Sequence, residues 1–259
     1  MVAALLALMI AADPADAPKG KLVPVGGGST QPVRAHILKL AGGSDARVLV
    51  LPQASSSADG GKELAQMWRD LGAKSATSLD LADPAAAVKA VEAADLIWMG
   101  GGDQNRLMKA LPSEVIAAIK NRYRAGAVVG GTSAGAAVIS GVMLTGDADL
   151  ERVRRGATKT AEGLGLWTDV IVDQHFVKRD RFNRLLSAVL DRPTLVGVGI
   201  DEGTGVIVSG KSFEVIGVGQ VTVIDGRKSS VGPSKPGEPH TAVNVAVHVL
   251  RPGMTWELK

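Results

Sequence analysis

The chain has 259 residues, room for one large α/β domain or two small ones, and 46% of them are hydrophobic, enough to cover both sides of a sheet. The formal charge is only +3 and aromatics make up 3%; apart from a cluster at 178–184 the basic residues are scattered, which excludes a nucleic-acid-binding stripe. The absence of cysteine excludes disulfides, cysteine nucleophiles and thiolate metal sites together.

In chain order, residues 1–17 read as a secretory signal peptide. Residues 3–12 are an apolar run too short to span a bilayer, and Ala15-Asp16-Ala17 is a small-x-small cleavage pattern. Cleavage there removes Asp13 and Asp16, taking the acidic count from 26 to 24 against 29 basic residues, a charge of +5. The expected location is secreted or periplasmic, with the cytoplasm as the alternative if the apolar segment is not a signal. Residues 18–259 are expected to form a single domain with no membrane anchor.

From Lys21 onward strand and helix patterns alternate. Strands are expected at 22–25, 47–51, 74–79, 95–99 and 127–129, and helices at 31–40, 59–71, from Asp83-Pro84 onward, at 112–124 and at 134–140. This alternation implies a parallel sheet covered on both faces, with functional loops at the strand C-terminal ends. Beyond Ser140 the pattern changes. Residues 141–165 read as a loop with a short helix near 150–161, followed by a strand at 170–172, a helix at 181–190 and a strand at 196–200. Short strands then follow at 204–208, 213–216, 220–224 and 243–250, with a hairpin connection rich in proline and glycine at 229–239. The fold class is therefore α/β: a three-layer sandwich around a largely parallel sheet, with a β-rich C-terminal third.

Three glycine clusters, 26–28, 100–102 and 130–131, each follow a strand and are expected to converge on one crevice. None has the dinucleotide spacing or a Walker lysine. The third cluster leads into Gly131-Thr132-Ser133-Ala134-Gly135, a nucleophile elbow between an apolar strand and an apolar helix. The sharp turn lifts the Ser133 hydroxyl out of the sheet and leaves the Ala134 amide at a helix N-terminus, where it can bind an oxyanion.

A serine nucleophile needs a base and an orienting acid. Of the four histidines, His36 lies on an early helix, His240 in the proline-rich connection and His248 in a late alternating strand. His175 ends a short apolar strand among Asp173, Gln174 and Phe176, and Asp201-Glu202 follows another strand. The residues point to Ser133, His175 and either Glu202 or Asp201. Four dispersed histidines offer no metal-ligand spacing, and no cofactor is expected.

Several segments together resemble one family. Gly130-Gly131-Thr132-Ser133-Ala134-Gly135-Ala136, Val172-Asp173-Gln174-His175-Phe176 and Gly199-Ile200-Asp201-Glu202 look like those of cyanophycinase and its relatives. Gly100-Gly101-Gly102-Asp103-Gln104, Arg179-x-Arg181-x-x-Arg184 and Val247-His248-Val249-Leu250 extend the likeness over about 21–258. These are serine peptidases related to aspartyl dipeptidase, on a fold like that of class I glutamine amidotransferases.

The resemblance implies Ser133 as nucleophile, His175 as general base and then acid, and Glu202 as its orienting acid. It implies oxyanion donors at Ala134, Gly101 and Gly102. It further implies substrate contacts from Gln104, Asp173, Gln174, Arg179, Arg181 and Arg184. Relatives cut after β-linked aspartyl residues, and cyanophycinase releases β-Asp-Arg dipeptides from a polyaspartate backbone carrying arginines. A homodimer is implied on the same basis, and the segment 141–165 is expected to wall the specificity pocket. Three readings compete with this one. They are a general isoaspartyl dipeptidase of the same family, an esterase using Ser133, Asp201 and His240 or His248, and a non-catalytic binding protein on this fold.

Overall fold

A computed structural model describes residues 17–258. The expected signal segment, apart from Ala17, lies outside the described residues. Five strands run parallel in the order β1 (Lys21–Val25), β5 (Val128–Thr132), β4 (Leu96–Met99), β2 (Arg47–Leu51) and β3 (Ser75–Ser78). Apolar runs such as Leu96-Ile97-Trp98-Met99 form strands here because helices cover both faces and every residue of β4 is buried.

Strand parity assigns the faces. Val48 and Val50 pack with Val33 and Ile37 of α1 (Gln31–Leu40) and with Ala65 and Trp68 of α2 (Gly60–Asp70). Leu49 and Leu51 face the other way, onto Ala87 and Val91 of α3 (Pro84–Ala93) and Leu107 of α4 (Gln104–Ala110). Val115 and Ile119 of α5 (Ser113–Arg124) complete that layer. Asp83 caps α3 by accepting from the amides of Ala85 and Ala86, and Asp103 caps α4 through those of Asn105 and Arg106. The elbow strand β5 feeds α6 (Ala134–Ala137), a single turn shorter than the 134–140 expected.

The region after Ser140 departs most from expectation. There is no helix at 150–161; β6 (Val142–Ala148) and β7 (Thr158–Glu162) form an antiparallel hairpin. Asp149 accepts from the amides of Glu151 and Arg152, which imitates a helix cap. No helix propagates from it: no apolar stripe follows to pack one, and Gly156 turns left-handed.

A second sheet has the order β15 (Ala246–Leu250), β12 (Val221–Asp225), β9 (Val196–Ile200) and β8 (Val170–Gln174). α7 (Phe182–Asp191) crosses between the parallel pair β8 and β9. β10 (Thr204–Ser209), β11 (Ser212–Gly217) and β16 (Thr255–Glu257) extend the first sheet as antiparallel strands. The late strand expected at 243–250 is two pieces. Asn244, with φ of 60°, separates β15 from β14 (Ala242–Val243), which pairs with β13 (Ser230–Val231). Among the described residues no helix is long and apolar enough to cross a membrane.

Candidate active site

The three glycine clusters do meet. Ser133 sits between β5 and α6 with φ of 54° and ψ of −113°, a strained conformation held from both sides. A Cβ on Gly131 would lie 2.5 Å from the Gly135 carbonyl oxygen, and one on Gly135 would lie 2.7 Å from the Met99 carbonyl carbon. The Ser133 amide donates to Val25 of β1. The turn is therefore welded to the sheet on two sides.

His175 follows β8 with φ of 49°, and its amide donates to the Gly26 carbonyl at 2.6 Å. A Cβ on Gly27 would stand 2.6 Å from Nε2 of His175, so the first cluster is the bed on which the imidazole lies. Nε2 is 2.9 Å from Ser133 Oγ, and Nδ1 is 2.6 Å from Glu202 Oε1. A carboxylate can only accept, so Nδ1 carries the proton and Nε2 faces the serine as an acceptor. Burial pushes the His175 pKa down, against the Glu202 hydrogen bond that raises it; the charge of Arg179 adds to the lowering.

Glu202 has a second donor that the sequence did not single out. Lys178 Nζ lies 2.7 Å from Oε2, and the Lys178 hydrogen bond, followed by that of His175, holds the Glu202 carboxyl below its usual range. Asp201, the alternative acid, is used elsewhere: its carboxylate accepts from the amides of Val177 and Gln220. Neither alternative histidine meets Ser133. His240 packs its ring 3.2 Å from Asp191, and exposed His248 lies beside Trp256. The described residues hold no group of three or more His, Asp or Glu side chains arranged for a metal.

The amides of Gly101, Gly102 and Ala134 donate to no carbonyl among the described residues, whereas their neighbours Gly100 and Asp103 donate to Leu51 and Ala54. Gly102 is at φ of 137°, and a Cβ there would lie 2.5 Å from the Ala54 carbonyl carbon. The open amides flank Ser133 and can receive negative charge developing on a carbonyl oxygen.

Beside Ser133 lies a cleft of about 340 Å³ lined by Gln104, Gln174, Arg179, Arg181 and Arg184, and also by Thr145, Gly146 and Asp147 of β6. Arg181 donates to both the backbone and side-chain oxygens of Gln174; burial, then the charge of Arg184, pushes its pKa down to about 10, so it remains a cation at neutral pH. Asp173 is fully buried beneath it, forked onto Arg184 through Nε at 2.7 Å and through NH2. Asp173 thus braces the arginines from below and is not itself on the cleft wall. Gln104 is buried and donates Nε2 to the Leu144 carbonyl at 2.8 Å, and Arg179 is exposed at the rim. The segment 141–165, expected as a pocket wall, lines the cleft through Thr145, Gly146 and Asp147. These three were not singled out within it, because their approach depends on a fold-back that no local pattern announces.

The model for peptidase family S51 matches residues 23–216. The cyanophycinase of Geminocystis herdmanii is 37% identical over 231 residues, covering 85% of this chain and 85% of the relative. That of Synechococcus elongatus is 34% identical over 257 residues, covering 93% and 80%. The crystal structure of a peptidase from an acI-B1 actinobacterium shares the fold with a TM-score of 0.69 at 22% identity, covering 94% of this chain and 98% of its own. By this match and by the identity to its relatives, the chain belongs to peptidase family S51 and is a serine-type peptidase.

Proposed function

We propose that this peptidase hydrolyses the arginine-bearing aspartate polymer cyanophycin, releasing β-Asp-Arg dipeptides through an acyl-enzyme on Ser133. The observation that carries the reading is the His175 bridge, 2.9 Å from Ser133 and 2.6 Å from Glu202, at the wall of an arginine-lined cleft. Relatives that are cyanophycinases, 34–37% identical over most of the chain, support the choice of polymer.

In this mechanism Ser133 Oγ attacks the scissile carbonyl carbon while His175 Nε2 takes its proton. Glu202 stabilises the imidazolium that results, and the amides of Ala134, Gly101 and Gly102 hold the oxyanion. Collapse of the tetrahedral intermediate breaks the C–N bond, and His175 passes the proton to the departing amine. Water, deprotonated by the same imidazole, then attacks the ester and frees Ser133. Carboxylates on the substrate suit Arg179 and Arg181, because a guanidinium fork matches a carboxylate in geometry as well as charge.

The test is dipeptide release from purified cyanophycin, run beside synthetic β-Asp-Leu and the Ser133→Ala protein. Wild-type release of β-Asp-Arg that disappears in Ser133→Ala is expected. Cleavage of β-Asp-Leu alone would replace this reading with a general isoaspartyl dipeptidase, and turnover of neither would overturn both.

A further inference from the structure

The hairpin β6–β7 is interrupted at the cleft. Val142, Met143 and Leu144 pair in register with Glu162, Ala161 and Thr160, but the next partners are Ala148 and Thr158. Three residues, Thr145, Gly146 and Asp147, therefore oppose Lys159 alone. Such a bulge gives up ladder hydrogen bonds and re-aims side chains. Here it is firmly held: Gln104 Nε2 donates to the Leu144 carbonyl, Asn105 Nδ2 to the Thr145 carbonyl at 3.1 Å, and Thr145 Oγ1 to the Lys159 carbonyl at 3.2 Å. Gly146 adopts φ of 115°, which lets the chain swing toward the cleft.

All three bulge residues line the cleft that holds Ser133. Asp147 has no hydrogen-bond or ion-pair partner among the described residues, although Arg179 and Arg181 share the same cleft. Arg181 is engaged instead by Gln174, with Asp173 3.6 Å away. The walls thus carry opposite charges that do not neutralise each other. A ligand that satisfies both carries carboxylate at one end and a cation at the other.

We propose that Asp147 is a specificity-determining residue that receives the guanidinium or ammonium of the substrate side chain, while Arg179 and Arg181 take its carboxylates. The proposal rests on the reading that the Ser133 cleft binds the substrate, and it adds the residue that selects for positive charge. Asp147 is exposed, so its ion pair with a bound cation is only partly shielded from water and salt.

The test compares β-Asp-Arg with β-Asp-citrulline, in which a neutral urea replaces the guanidinium at nearly the same shape. Binding is measured by titration calorimetry on the full chain carrying Ser133→Ala, with and without Asp147→Asn; polymer hydrolysis is measured with Ser133 intact. With Asp147 present, the arginine ligand is expected to bind about fivefold tighter than the citrulline ligand, and Asp147→Asn to erase the difference by weakening only the arginine ligand. A preference that persists in Asp147→Asn, or that is absent with Asp147 present, overturns the proposal. The outcomes separate it from the hydrolytic reading. Ser133-dependent polymer cleavage without an Asp147-dependent preference removes only the cation site. An Asp147-dependent preference in a protein that does not cleave the polymer keeps the cation site and removes the hydrolysis.

Discussion

Glu202 holds two donors at once, His175 on Oε1 and Lys178 on Oε2. The consequence is electrostatic. In the proposed mechanism His175 acts as general base and has to be neutral, so kcat/KM falls as pH drops through its pKa. Burial disfavours the imidazolium and places that pKa below the ordinary 6.5, so the acid limb of the pH profile is expected below 6.5. Lys178→Met removes the cation from Glu202. The carboxyl then titrates higher, its negative charge acts on His175 without competition, and the imidazolium is favoured. The limb is expected to move up by a few tenths of a pH unit, because Lys178 is largely exposed and screened. Lys178→Arg is expected to keep the wild-type limb. Profiles of kcat/KM from about pH 5 to about pH 9 on all three proteins decide it; a limb that stays in place in Lys178→Met reduces Lys178 to a surface ion pair.

At the scale of elements, the glycines around the elbow divide into two kinds. A methyl at Gly135 meets the Met99 carbonyl, which is backbone of β4 and cannot step aside without opening the sheet. Gly135→Ala is expected to cost about 1–3 kcal/mol of stability, read as a lowered Tm. A methyl at Gly27 meets the His175 ring, a side chain that can move, so Gly27→Ala is expected to lower kcat by about a hundredfold by displacing the base. Its φ of 120°, which residues with a side chain rarely adopt, adds about 1–3 kcal/mol of backbone strain and lowers Tm as well, so kcat is compared at a temperature where the variant is fully folded. If Gly27→Ala kept full kcat, the bed assigned to the imidazole would be wrong. The elements were legible in sequence where one cause dominates. β2 and β9 match their expected limits residue for residue, because unbroken burial runs through all of β9 and from Val48 to Leu51 of β2, with only the first residue, Arg47, exposed. The elbow was legible because glycines on both sides of a serine leave few other turns. The choice between Asp201 and Glu202 was not, since parity separates their faces without saying which face meets β8. Lys178 and Asp147 were not singled out, as both reach the site through turns whose direction is set by distant contacts. α4 went unseen because its cap, Asp103, is hidden behind a glycine cluster that reads as a loop.

At the scale of the molecule, the site has no home in either sheet alone. Ser133 follows β5 of the first sheet, His175 follows β8 of the second, and Glu202 bridges β9 of the second to β10 of the first. Angstrom-level spacing between Ser133 and His175 therefore depends on how the sheets pack. One core joins them: Leu22, Val129 and Val206 of the first sheet cluster with Val172, Val198 and Val223 of the second, and all six are essentially fully buried. Separating the sheets would expose all of these side chains at about 25 cal/mol per Å² of apolar surface, so a state with one sheet folded and the other lost is strongly disfavoured. Urea unfolding is accordingly expected to show one transition, with far-ultraviolet circular dichroism, tryptophan fluorescence and residual Ser133-dependent peptidase activity falling along the same curve. Trp68 and Trp98 report on the first sheet, whereas α7 and the strands around it contribute to the dichroism without a tryptophan of their own. Activity lost at lower urea than either signal would mean that the sheets part before they unfold, and that the catalytic spacing is set by a weaker contact than the shared core.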